Sequence, residues 1–234
     1  MKRIIMRAYW GEYDDGHRIT KRKARVDRNI EQVLNCEFKE DFVTYVFGQE
    51  NFDYLVSKGF RCVLLWKEPT MFDAVKYQYR HKLEALKFAM EEEKADEMVH
   101  LDWDCLLKKP FPNDFWDRLG KKESFQANLM QYRRRKATWR GKEDSRKIPN
   151  GGFCYIRDKN VPTDIIKIWE TMKSPSCEPA MAKYVDHRTD GWKGKEHYWN
   201  LFEPEVVRLH RCCPFSAELI EAKNACYTHY QGGR

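Results

Sequence analysis

The 234-residue chain has no run of apolar residues approaching the ~20 needed to cross a bilayer. Its opening, MKRIIMRAYWGEYDD, is basic, but the apolar stretch is short and Arg7 breaks it. A secretory signal needs a longer apolar core followed by small residues at a cleavage site. These absences predict a cytoplasmic protein. Eight cysteines are present, yet no CxxC pair and no compact secreted framework occurs. Cys62 and Cys154 sit inside apolar runs, which predicts buried free thiols in a reducing compartment. His210, Cys212, Cys213, Cys226 and His229 crowd the tail, and a structural zinc is one reading of them. The missing CxxC knuckles argue against it. Internal repeats, low-complexity tracts and linker-like segments are also absent, which predicts one domain over 1–234.

What is there is charge and alternation. The net charge is +7, which favours polyanionic ligands: nucleic acid, acidic glycan, anionic lipid or a nucleotide diphosphate. Apolar runs at 3–10, 42–47, 60–66 and 97–101 read as strands. Between them lie helical patterns at 22–34, 50–58 and 74–94, the last with Val75, Tyr79, Leu83, Leu86 and Met90 at steps of three and four. Gly59 is placed to stop the middle one. Strands alternating with helices predict βαβ units and a largely parallel sheet. Further strands are expected at 125–132 and 152–157, a helix at 162–173 with Pro162 in its first turn, and strand and loop after 195.

The strand at 97–101 runs directly into Asp102-Trp103-Asp104. Alternation sends side chains 102 and 104 to one side. The two carboxylates can then share one divalent ion, or one can hold the ion while the other takes a ribose hydroxyl. Hard oxygen ligands suit Mn²⁺ or Mg²⁺, which can bridge a diphosphate and stabilise its departure as a Lewis acid. A solvated acidic turn is the plainer alternative. In open α/β sheets, ligands bind beyond the carboxyl ends of strands where the strand order reverses. A sheet order beginning 3-2-1-4 would set Tyr9, Trp10 and Gly11 across one crevice from Asp102 and Asp104.

The Asp-Trp-Asp after MVHL resembles the D-x-D signature of GT-A nucleotide-sugar-dependent glycosyltransferases. RIIMRAYWG resembles the first strand of mannosyltransferase-like and capsular-type members, in which an aromatic-Gly turn lies against the nucleotide. His229-Tyr-Gln-Gly232-Gly233-Arg234 resembles the H-x-x-G-x-x-K element of glycogenin-like members, although Arg234 falls one position earlier than that lysine. The resemblance implies a Rossmann-like mixed, mainly parallel sheet with flanking helices (GT-A). It divides the domain into a nucleotide-binding half at 1–105 and an acceptor and sugar half at 106–234. It further implies a nucleotide sugar such as a UDP-sugar, Mn²⁺ held by Asp102, Asp104 and His229, and donor contacts at Tyr9, Trp10, Gly11, Asp102, Trp103 and Arg234.

Other residues join this expectation. Lys82, near the buried face of the helix before the motif, would reach the donor; a solvated helix face is the alternative. Asn150-Gly151-Gly152 reads as a turn before a strand, either lining the sugar pocket at Gly151 and Gly152 or simply turning the chain. Glu178, before a short helical pattern, is a candidate general base, acceptor contact or helix cap. Asp186, His187 and Asp190 are weaker versions of the same idea. Basic segments at 18–28 and 133–147, interleaved with Tyr132 and Trp139, predict phosphate contact. They suggest DNA carrying hydroxymethylated pyrimidine as acceptor; a surface-glycan precursor or small metabolite is the rival, and a solvated charged loop is the ordinary reading. A sugar nucleotidyltransferase ranks behind, because YWGEYDDG occupies the place of its Gly-rich basic loop. A non-catalytic nucleic-acid-binding module would leave the acidic pair unexplained.

Overall fold

The computed structural model describes residues 1–11, 41–68, 80–103, 105–107, 111–121, 124–130, 148–172, 177–188, 206–210 and 227–231. A six-stranded sheet forms the centre, in the order β3-β2-β1-β4-β7-β6. β1 (Arg3–Tyr9), β2 (Asp41–Phe47), β3 (Cys62–Trp66) and β4 (Glu97–Leu101) are parallel. β7 (Ile148–Ile156) runs antiparallel to both β4 and β6 (Phe125–Met130). The chain steps outward from β1 to β3 and then returns to lay β4 on the other side of β1. The expected reversal therefore falls between β1 and β4.

Local sequence explains why these two strands are central. All five residues of β4 are buried, as are six of the seven in β1. A strand covered on both faces needs a nearly continuous apolar run, and RIIMRAY and EMVHL supply one. On one face, Met6, Ala8 and Met98 pack with Leu83, Leu86 and Ile165 from the covering helices. On the other face, Tyr9, Val46, Leu55, Phe60 and Trp103 form a second cluster. Each fully buried leucine there contributes roughly 1.5–3 kcal/mol.

Helix α1 (Gln49–Ser57) ends as Gly59 predicts. Gly59 adopts φ +85°, its N–H bonds the Val56 carbonyl, and the Phe60 N–H bonds the Leu55 carbonyl. This paired closure places Phe60 against Leu55 in the second cluster. Helix α2 (Arg80–Glu91) packs on β1, with Leu83, Leu86 and Met90 buried as the periodicity predicts; the expected turns at 74–79 lie outside the described residues. Helix α3 (Phe115–Gly120) follows, then α4 (Asn160–Glu170) with Pro162 in its first turn, and α5 (Glu178–Arg188). A second sheet, in the order β5-β9-β8, joins β5 (Cys105–Leu107), β9 (Tyr227–Gln231) and β8 (Val206–His210).

One expectation is corrected. Asn150-Gly151-Gly152 is not a turn before a strand; it lies within β7. On the facing strand, Ala127 pairs with Cys154 and the next residue, Asn128, pairs with Asn150. Residues 151–153 are thus extra on β7 and form a bulge, a place where strand glycines are at home. At the end of the hairpin, Met130 pairs with Ile148. Among the described residues no helix is long and apolar enough to cross a membrane.

Candidate functional site

Beyond the carboxyl end of β4, the sheet brings together groups from five elements. The Trp103 indole N–H donates to the Ala8 carbonyl at 2.8 Å and its ring meets Tyr9 edge-on at 5.4 Å. The end of β1 and the acidic motif are therefore held side by side. Trp10 stacks on His81 of α2. Tyr9, Trp10 and Trp103 are buried, so their rings, expected at the donor, are spent on packing. Gly11 adopts φ +80°, and a Cβ there would lie 2.9 Å from the Asn51 side chain. The torsion favours glycine, and a side chain there would also have to displace the end of Asn51.

Asp102 sits at the centre. Its N–H donates to the Gly152 carbonyl at 2.8 Å. Its Oδ1 takes an ion pair from Lys82 Nζ at 2.8 Å and a contact from His100 Nε2 at 3.0 Å. Lys82 is 3% exposed and also donates to the Gly151 carbonyl at 3.0 Å. The two bulge glycines thus brace the acidic residue, one through its backbone and one through its cation. The Asp102 side chain keeps 34% exposure. Among the described residues no hydrogen bond is made to its second oxygen, Oδ2.

The charges are mutually dependent. Burial alone would raise the Asp102 carboxyl; the Lys82 charge and the His100 hydrogen bond outweigh it and hold the group well below the usual carboxylate range. Burial alone would push the Lys82 ammonium down, but the surrounding negative groups, Asp102 first and Glu178 among them, hold it above the usual lysine range. Burial lowers His100, with Lys82 adding to that and the Asp102 bond opposing it. Burial likewise pushes the Cys154 and Cys177 thiols up to about 12, which makes both inert.

The expected residues fare differently. Lys82, Asp102, Gly151 and Gly152 are in direct contact. Glu178 opens α5, half-buried and within electrostatic reach of Lys82. For His229 the register is informative: it pairs with Cys105, the residue immediately after Asp104. Asp104, Arg234, the side chains of Asp186, His187 and His229, Asp190, the basic segments 18–28 and 133–147, and the cysteines of the tail lie outside the described residues. Among the described residues no three His, Cys, Asp or Glu side chains cluster as a metal site. What is present fits half of one: a fixed, partly exposed carboxylate, and a backbone register that returns His229 to the same motif.

Sequence reasoning passed over His100 and Arg7. The signal for His100 was its position two residues before Asp102, on the same face of the strand. Arg7 is fully buried, its guanidinium 4.9 Å from the Trp103 ring and 5.4 Å from that of Phe42. It supports the motif from the opposite face.

Solved structures share this fold along nearly the whole chain. Mouse xyloside xylosyltransferase 1 superposes with a TM-score of 0.53 at 9% identity, covering 99% of this chain and 98% of that one. The fold is GT-A. A glycosyltransferase involved in glycosylation of the major capsid of PBCV-1 gives a TM-score of 0.51 at 12% identity, covering 100% and 95%. WbbM, described as a bifunctional glycosyltransferase, gives 0.52 at 11% identity; all of this chain matches 46% of that one. No protein-family model matches the chain, and no curated protein matches it in sequence. The GT-A fold bears out the fold that the resemblance implies, a Rossmann-like mixed, mainly parallel sheet with flanking helices.

Proposed function

We propose that this GT-A chain is a metal-dependent glycosyltransferase that uses a nucleoside-diphosphate sugar, a UDP-sugar in the first instance. One observation carries the reading. At the strand-order reversal, one carboxylate oxygen of Asp102 is held by both a lysine and a histidine, while the side chain keeps 34% exposure. Neutralising and fixing a carboxylate at this place serves no packing need; it prepares a ligand site.

Asp102, with Asp104 and His229, would hold Mn²⁺ or Mg²⁺. When bound, such an ion neutralises the departing diphosphate. The chain's own residues do the rest. Lys82 holds Asp102 in place and lends positive charge beside the donor. Gly151 and Gly152 let backbone come close to the sugar. Gly11 lets the β1 end approach the nucleotide, and Arg234 meets the diphosphate. Glu178 is the carboxylate for the acceptor side, where it takes the proton of the attacking hydroxyl.

One fold serves many acceptors, as the neighbours' own descriptions show by naming a viral capsid and a xyloside. A glycan precursor or small metabolite is the acceptor class this geometry serves without further parts. DNA bearing hydroxymethylated pyrimidine rests on the basic segments 18–28 and 133–147 alone.

The test is Mn²⁺-dependent release of UDP from a panel of UDP-sugars. Asp102→Ala is expected to abolish release. Release by that variant at the wild-type rate, or pyrophosphate exchange in its place, would overturn the reading, the second in favour of a nucleotidyltransferase.

A further inference from the structure

His100 is the least explained polar group in the core. It is 1% exposed in the middle of the sheet, paired in register with Met6 of β1 and Cys154 of β7. An apolar side chain would pack there without cost, whereas an imidazole must be satisfied. Its Nδ1 is buried and has no hydrogen-bond partner among the described residues. Its polar contact is with Asp102 Oδ1, through Nε2 at 3.0 Å. An ionised carboxylate only accepts, so Nε2 carries the hydrogen and donates it. The ring therefore leaves one nitrogen unsatisfied in order to make a single bond.

That bond changes what Asp102 can do. A carboxylate held by one lysine can turn about its Cβ–Cγ bond and offer either oxygen. Here Lys82 reaches Oδ1 from α2 and His100 reaches the same oxygen from β4. Tilting the carboxylate out of this plane would break both contacts, and a half-turn would only exchange two equivalent oxygens and restore them.

Resting on the function proposed above, we infer that His100 is a positioning residue. Its Nε2–H fixes the plane of the Asp102 carboxylate, so that the oxygen left free by Lys82 and His100 is held in one direction for the cation-bound nucleotide. Lys82 supplies the compensating charge and His100 supplies the direction. Groups that orient a ligating carboxylate typically change affinity by roughly 10- to 100-fold.

The test compares His100→Leu, which fills the space without a donor, with His100→Gln, whose side-chain amide can donate in place of Nε2. UDP affinity with Mn²⁺ is read by calorimetry, free Mn²⁺ by electron paramagnetic resonance, and folding by melting temperature. His100→Leu is expected to melt at or above the wild-type temperature and to bind UDP–Mn²⁺ roughly tenfold more weakly. His100→Gln is expected to restore most of the affinity. Wild-type protein that binds while His100→Leu binds equally well overturns this inference alone. So does His100→Gln that is folded yet as weak as the leucine variant. Wild-type protein that binds neither UDP nor Mn²⁺ removes the proposed function, and this inference with it. A ligand-independent check is the ring tautomer: ¹H–¹⁵N correlation spectra of the unliganded protein should show Nε2–H at His100, and Nδ1–H would overturn the inference outright.

Discussion

Replacing Lys82 with methionine tests the electrostatic core of the site without emptying its packing. Methionine retains most of the apolar stem and removes the ammonium. Asp102 Oδ1 then loses its 2.8 Å ion pair and keeps only the His100 contact, and the Gly151 carbonyl loses its 3.0 Å bond. Breaking a fully buried ion pair costs about 3–5 kcal/mol. Asp102 is 34% exposed and regains some hydration, so its share falls to about 2 kcal/mol. The orphaned carbonyl adds about 1 kcal/mol. The sum is about 2–4 kcal/mol, which for a chain of this size lowers the melting temperature by roughly 5–15 °C. Denaturant melts of wild type, Lys82→Met, Asp102→Asn and the double variant complete a thermodynamic cycle. The double variant should be less destabilised than the sum of the singles by about 1–3 kcal/mol, because each change removes the other's unpaired charge. A Lys82→Met protein within about 0.5 kcal/mol of wild type, the range of an ordinary surface change, would refute this account. So would strict additivity.

Three further outcomes follow from the same contacts. Gly11→Ala should lose about 1–3 kcal/mol in a thermal melt, since φ +80° and the Asn51 side chain 2.9 Å from the new Cβ both oppose it; adding Asn51→Ala should relieve the steric part and leave the torsional part, and full recovery would show the torsion to be unstrained. Cys154 and Cys177, pushed up to about 12 from 9.0, should hold about a thousandfold less thiolate than an ordinary cysteine; native-state alkylation at pH 8, mapped by mass spectrometry, should leave both unlabelled until the protein unfolds, and prompt labelling would contradict their burial. The folded-state value of Asp102 is depressed, so its stabilisation is whole above the ordinary value of 3.8 and declines as pH falls through that region; melting-temperature profiles between pH 3 and 6 should lose part of their acid slope in Asp102→Asn, and an unaltered slope would refute the linkage.

Much of the sheet was readable because its signals are local. The apolar runs at β1 and β4, the i, i+3, i+4 pattern of α2, and Gly59 after α1 each depend on a few neighbouring residues. The reversal between β1 and β4 followed from assuming the commonest doubly wound order. The bulge at Gly151-Gly152 was read as a turn because a bulge is a property of two strands: it exists only through the register that Ala127 and Asn128 impose from β6. Trp103 illustrates a different lapse. The period-two rule that placed Asp102 and Asp104 on one face also places Trp103 on the other, where its indole is buried beside Tyr9 and Phe60. His100 was invisible for a third reason. A single histidine in an apolar strand reads as core, and its partner becomes evident only once Asp102 has folded back against Lys82.

The pairing of Met130 with Ile148 has a consequence for where the chain between them is anchored. β6 ends, and β7 begins, at the sheet edge where Asp102 stands, so the seventeen residues of 131–147 leave and re-enter the fold at one point on the site's rim. Any group carried between those two anchors is tethered beside Asp102, at an effective concentration on the order of millimolar. On the function proposed above, groups placed there would face the acceptor while Lys82, His100 and Asp102 serve the donor.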